Sequence, residues 1–372
     1  MFDFWVVDIT RTGIIICAIF YFVTVAVFWK QAVTLRLKPS VYRVPVIFTL
    51  IFIFSLISWT NGDWFHYLII VKRYASFKES GLENFYELII KLTHSNYFLF
   101  RCIVWGLALS FFTLSLREFK VDYFKALFFL FAVFINYFDY SRSSLGMATY
   151  FLGLGMLFGE KKIIIRIIGI GIMLCSLYFH RSMMIPLCLT PICFIPIDKK
   201  TIFIILVLVA LLFGVLKDYF TQLLGDLMSS EDENLAKRAE LYGNDERKEI
   251  VAGNFMGQLI SYWKYSVFYV LYGFVSFAWF KYNLYKYLPI RYRALYGMAT
   301  GLLITSILLY LFDKGNAAIY YRTLFMIYIP LTLLTVFFFT RRIFKPKIFT
   351  FLLLYCGGYV AFEFFSRSIS GA

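Results

Sequence analysis

Apolar runs of about 16 to 20 residues alternate with short charged stretches along nearly the whole chain. A hydrocarbon core roughly 30 Å thick takes about 20 residues of helix to cross, and inside it every backbone N–H and C=O must be paired within the segment, so such runs predict helices and not open strands. They fall near 13–29, 44–59, 98–116, 126–140, 144–159, 163–179, 183–197, 201–216, 262–280, 294–312, 323–340 and 348–365. The pattern predicts an all-α, polytopic integral membrane protein with about 12 transmembrane helices, organised as one membrane domain over 1–372 with no internal repeat. The first run is followed by Lys30, Arg36, Lys38 and Arg43 and not by a small-residue cleavage site, so it reads as a retained span.

Every second connection is short and basic: Lys30 to Arg43, Arg117 to Lys125, Lys161 with Lys162, Lys199 with Lys200, Lys281 to Arg293, and Arg341 to Lys347. The positive-inside rule places these in the cytoplasm. The two long connections, 60–97 and 217–261, then share the outer face with the tight turns at 141–143, 180–182 and 313–322. The first loop predicts two short amphipathic helices, near 62–76 and 83–92. In the second, Ser230 with Glu233 forms a capping box and Gly243 a stop, which predicts a solvated helix, a candidate lid over 231–242.

Composition narrows the chemistry further. Of 372 residues, 61% are hydrophobic and 16% charged, outside the balance of a soluble domain. The net charge of +15 is scattered in clusters between spans, which argues against a nucleic-acid surface. Six cysteines without a CxxC pair, and His66, His94 and His180 far apart in sequence, point to neither a disulfide framework nor a metal centre, and no cofactor is expected.

Charged residues inside this apolar background carry the functional signal. Residues 126–159 would make a helix about 50 Å long, too long for one span, so they must fold back as a hairpin whose turn holds Asp139 and Arg142. Residues 163–197 repeat the arrangement with His180 and Arg181 at the tip and Pro186 just beyond it. A third outer turn supplies Asp313, Lys314 and Arg322. Charge at such depth costs a few kcal/mol per group and usually faces a protein-lined cavity. A phosphate or diphosphate matches these arginines best, since a guanidinium donates two parallel hydrogen bonds and stays charged when partly desolvated. Plainer roles stay open beside this one: a lone arginine near a span end snorkels to headgroups, Asp139 and Asp313 serve as partners for arginines, and His180 is a structural hydrogen-bonding residue.

The segment from Ser141 to Pro196, "SRSSLGMATYFLGLGMLFGEKK…SLYFHRSMMIPLCLTPICFIP", resembles the EpsG family of bacterial polysaccharide polymerases, related to the Wzy-type O-antigen polymerases. In that family an arginine opens a small-residue helix, a basic turn follows, and the next helix ends in a Phe-His pair; Arg142, Ala148, Phe179 and His180 fall on those positions. "NGDWFHY" at 61–67 is similar to the family's Gly-Asp-aromatic motif, with Asp63 and Tyr67 on matching positions, although Ser58, Trp59 and Thr60 stand where a basic residue usually precedes it. "LENFYELIIKL" at 82–92 looks like the following Glu-rich amphipathic segment, and "YYRTLFMIYIPLTLL" like the late arginine helix, with Arg322 matching.

The resemblance implies a GT-C-like membrane glycosyltransferase in the bacterial inner membrane with its site facing the periplasm or exterior. Donor and acceptor would both be oligosaccharides on undecaprenyl diphosphate, for O-antigen, capsule or exopolysaccharide, with a chain-length regulator protein as a frequent partner. Arg142, Arg181 and Arg322 would bind the substrate diphosphate, and the catalytic candidates at the outer face are His180, Asp63 and Asp139, with no metal. Two rivals share the arginines: a GT-C-like transferase that decorates a glycan from a polyprenyl phosphate, and a lipid-linked oligosaccharide flippase. The first usually has an acidic pair in the first outer loop, where Asp63 stands alone. The second favours charges along a central path and a repeated layout. A membrane acyltransferase would need more around its histidine than His180 offers by itself.

Overall fold

The structure is a computed structural model that describes residues 11–35, 42–57, 67–72, 74, 83–138, 141–159, 162–202, 204, 255–312 and 317–370. Among these residues the only regular structure is helical, as the apolar runs predict. Five helices are long and apolar enough to cross a membrane, and shorter apolar helices stand beside them. Each predicted interval except 201–216, which lies almost wholly outside the described residues, coincides with helical structure. The capped helix at 231–242 also lies outside them.

The chain separates into two compact units, one of residues 1–187 with 331–372 and the other of 188–330. The first contains α1 (Arg11–Val33), α2 (Arg43–Ile57), α3 (Asn84–Leu92), α4 (Tyr97–Phe119), α5 (Tyr123–Phe138), α6 (Ser141–Phe158) and α7 (Ile163–Phe179). A 3-10 turn (Arg181–Met183), the start of α8 (Met184–Leu189), most of a later helix α13 (Tyr328–Thr340) and α14 (Pro346–Ser370) complete it. Helix α5 is the axis of its core. Asp122 starts this helix by accepting from the Lys125 amide at 2.9 Å, a first-turn cap. From Phe124 to Phe138 every α5 residue is buried, packed by α1, α2 and α14. Tyr21 of α1 donates to the Ala132 carbonyl at 2.6 Å, so its hydroxyl does not lie unpaired in an apolar core.

Aliphatic residues remain on the outside of other helices. Ile163, Ile164, Ile167 and Ile168 of α7 and Ile15, Ile16, Ile19 and Val23 of α1 are exposed, the surface that lipid covers in a multi-pass membrane protein. On its other face α7 meets α6 with backbones in contact: a Cβ on Gly153 would lie 2.5 Å from the Gly169 carbonyl oxygen. Close approach of this kind is how helices associate in lipid, where no hydrophobic drive separates them from the solvent.

Two predicted spans are interrupted. The 183–197 interval is a short α8 followed by a 3-10 stretch (Thr190–Phe194), because Pro186 and Pro191 lack the amide that a continuous α-helix needs. The 323–340 interval breaks at Met326 and Ile327 between α12 (Ala317–Phe325) and α13; Pro330 cannot donate to the Met326 carbonyl and is tolerated only in the first turn of a new helix. The second unit otherwise holds α9 (Phe255–Lys281), α10 (Leu284–Tyr287) and α11 (Ile290–Phe312). Within it α11 packs on the 3-10 stretch, with Gly297 so close that a Cβ would sit 3.1 Å from the Ile192 carbonyl oxygen.

Candidate functional site

Four side chains from separate parts of the first unit meet at one end of the α6–α7 pair. Helix α3 begins after Glu83, whose extended backbone (φ −64, ψ 146) marks it as the residue before the first turn. An acidic residue there commonly caps the helix with its side chain, yet the Glu83 carboxylate makes no capping bond and reaches outward. Arg142 stands in the first turn of α6, and His180 follows the last residue of α7 with an extended backbone. Gly146, one turn beyond Arg142, allows these ends to approach: a Cβ there would meet the Met183 Cγ at 2.9 Å and the His180 Cβ at 3.3 Å.

Glu83 joins the other charged groups. Its Oε2 accepts from Arg142 Nη1 at 2.9 Å, and its Oε1 faces His180 Nδ1 at 3.4 Å. Arg142 Nε donates to the Tyr67 hydroxyl at 2.7 Å, and the guanidinium carbon lies 5.2 Å from the centre of that ring. The rings of Phe85 and Phe179 cross edge-to-face at 4.5 Å beside them, an apolar wall. Burial by itself would push the Glu83 carboxyl up, but its hydrogen bond with His180 and then the charge of Arg142 outweigh burial and hold the group down at about 2.

An ionised carboxylate can only accept, so the proton in the Glu83–His180 contact belongs on Nδ1 and the lone pair of the ring on Nε2. Arg142 has two of its five N–H groups engaged among the described residues, which leaves donors for a ligand. Tyr86, on the first turn of α3, adds a buried hydroxyl that has no hydrogen-bond partner among the described residues and sits near enough to Tyr67, Glu83 and Arg142 to feel their charges. The set thus combines an oriented imidazole, a partly committed guanidinium and a buried hydroxyl.

Of the residues singled out in the sequence, Arg142 and His180 come together with Tyr67. Arg181 is exposed on the 3-10 turn next to His180. Arg322 is exposed on α12, in the second unit. Asp63, Asp139, Asp313 and Lys314 lie outside the described residues. The carboxylate partner of Arg142 is Glu83, which the sequence reading passed over within its Glu-rich segment. Its signal was present but ambiguous, because an acid before a helix ordinarily reads as complementing the helix dipole.

A second buried carboxylate lies in the same unit, where Glu363 of α14 accepts from Asn136 Nδ2 of α5 at 2.5 Å and from the Tyr359 hydroxyl. This ties α5 to α14. Among the described residues no three His, Cys, Asp or Glu side chains gather as a metal site.

The EpsG family model matches residues 41–371, nearly all of the chain and both ends of the site. No curated protein and no solved structure matches.

Proposed function

Because the chain belongs to the EpsG family, we propose that it is a polysaccharide polymerase, a glycosyltransferase that joins undecaprenyl-diphosphate-linked repeat units on the outer face of the bacterial cytoplasmic membrane. The observation that carries this reading is Glu83 holding both His180 and Arg142, which pairs a proton acceptor with an anion binder. In this reading about twelve spans form a GT-C-like bundle, with the loops 60–97 and 217–261 covering the glycan.

The acceptor sugar's hydroxyl attacks the donor's anomeric carbon. As that C–O bond forms, the bond from the same carbon to the diphosphate breaks and the leaving oxygen takes the electron pair. The hydroxyl proton passes to Nε2 of His180, which Glu83 keeps in the required tautomer. Asp63 and Asp139 are given no step. Arg142 binds the departing diphosphate with the donors it does not give to Tyr67 and Glu83, supported by Arg181, and stabilises charge that grows in the transition state; Arg322, in the second unit, is given no step. Diphosphate leaves as a stable anion, so neither a strong general acid nor a metal ion enters the scheme.

Deleting the gene in its host and resolving the surface glycan on a gel tests the assignment. Loss of the long ladder, with one repeat unit still reaching the outer face, is the expected result. A full ladder lacking only a side sugar would replace polymerisation with decoration from a polyprenyl phosphate.

A further inference from the structure

In the second unit the connection from α9 to α11 reads "KYNLYKYLPIRYR" from Lys281 to Arg293, with four cations, four tyrosines and no carboxylate. No Asp or Glu occurs anywhere from Phe255 to Phe312. Asp198 is the one carboxylate among the described residues of this unit, and it is committed to Thr201, accepting from the amide at 2.7 Å and from the hydroxyl at 2.9 Å. No ion pair among the described residues includes Lys281, Lys286 or Arg293. Lys199 and Lys200 add two exposed cations nearby, since the Trp279 indole N–H donates to the Ile197 carbonyl at 2.9 Å and holds that segment against the end of α9.

The surroundings of these cations are those of a membrane interface. Leu284 is buried and pins the one-turn helix α10 to the unit, while Tyr282 and Tyr287 at its two ends are 48% and 77% exposed. Lys281 Nζ lies 5.2 Å from the centre of the Phe277 ring and 5.7 Å from that of Tyr282, and Lys286 Nζ lies 5.8 Å from that of Tyr285. Phe277, one turn back on α9, is 64% exposed, so the Lys281 stem runs along a lipid-facing ring and carries its ammonium up to the level of the tyrosines. Ile290 is also exposed, at the start of α11 beside Arg291 and Arg293. A polyanion arriving from solvent, whether nucleic acid or acidic protein, would meet the cations and leave these apolar side chains uncovered. Free phosphate would use the cations alone. An anionic phospholipid matches both parts, with its phosphate at the cations, its glycerol beside the tyrosines and its acyl chains on Phe277 and Ile290.

We propose that the α9–α11 connection binds anionic phospholipid of the adjoining leaflet, the cytoplasmic one by the positive-inside rule, with Lys281, Lys286 and Arg293 on the headgroup phosphate and Phe277 and Tyr282 against the rest of the lipid. The site lies wholly in the second unit and is independent of the reaction assigned to the first.

The test measures association of the full-length protein, in phosphatidylcholine nanodiscs, with fluorescent phosphatidylglycerol and with fluorescent phosphatidylcholine of the same acyl chains. The wild-type chain should prefer phosphatidylglycerol by about tenfold, the scale set by one or two cations at a headgroup. Replacing Lys281, Lys286 and Arg293 together by glutamine should bring the two lipids to parity. The same change at Arg341, Lys345 and Lys347, the basic connection before α14, should leave the preference in place. Lys286→Gln alone, an exposed change with no packing at stake, should remove part of it and decides the matter where the triple variant does not fold. Equal association of both lipids with the wild-type chain, or full preference in Lys286→Gln, would overturn the site. Equal loss in the two triple variants would replace it with a diffuse field of positive charge. Displacement of phosphatidylglycerol by inorganic phosphate would assign the cations to a soluble anion, and displacement by polyglutamate would assign them to an acidic protein; either result sinks the lipid assignment.

Discussion

Replacing Glu83 by glutamine keeps the side chain's size and removes the charge that holds Arg142 and His180. The Arg142–Glu83 pair measures 2.9 Å, with side chains 23% and 11% exposed. Two unit charges about 4 Å apart at an effective dielectric near 20 attract by about 4 kcal/mol, and rehydration of the separated groups cancels most of this, leaving about 1–2 kcal/mol of stability at stake. The loss in rate should be larger. An amide can donate to Nδ1 and favour the wrong tautomer, and misplacing a general base commonly costs about a hundredfold, or about 2.7 kcal/mol of barrier. The assay is single-turnover polymerisation of lipid-linked repeat units by the purified chain, with thermal unfolding measured on the same samples. A Glu83→Asp chain should recover part of the rate, since it restores charge at a shorter reach. A Glu83→Gln chain that turns over at the wild-type rate while folded would refute the role given to the carboxylate.

The pull on Glu83 has a pH consequence. Its folded-state value of about 2 lies below the ordinary carboxylate range, so the stability it contributes is complete above that range and is lost as pH falls from about 4.5 toward 2. Unfolding at pH 7 and pH 3 should differ by about 2 kcal/mol more in the wild-type chain than in Glu83→Gln, and equal differences would contradict the ion pair. Arg142→Ala should lower the rate about a hundredfold with normal recovery of protein from the membrane, and Arg142→Lys should not restore it, because an ammonium cannot keep Tyr67, Glu83 and a phosphate together. Normal polymer length in either variant would remove Arg142 from the scheme. Gly153→Ala should lower the unfolding temperature, its new methyl striking the Gly169 carbonyl, whereas Gly171→Ala, which meets nothing within 4 Å, should not.

The helices were legible because lipid imposes a length on every crossing, and their apolar runs coincide with α1, α2, α4 to α7, α11 and α14 within a few residues, while α9 begins well before its run, at Phe255. The breaks at 189–191 and 326–327 were harder to see, since a proline inside an apolar run reads equally as a kink, a first-turn residue or a stop. For the site, an arginine amid apolar residues was conspicuous, and Arg142 and His180 do meet. Glu83 was not conspicuous. A carboxylate before an amphipathic helix is ordinary, and its value comes only from a contact 59 residues away along the chain, which periodicity cannot reveal.

The most direct test of the polymerase assignment counts bonds and carriers together. Purified protein in liposomes would receive radiolabelled undecaprenyl-diphosphate repeat units, and both glycan length and free undecaprenyl diphosphate would be followed over time. Polymerisation by the proposed route releases one undecaprenyl diphosphate for each new glycosidic bond, and Arg142→Ala slows both together by about a hundredfold. Carrier release without lengthening, or lengthening that requires a sugar on a polyprenyl monophosphate, would contradict it.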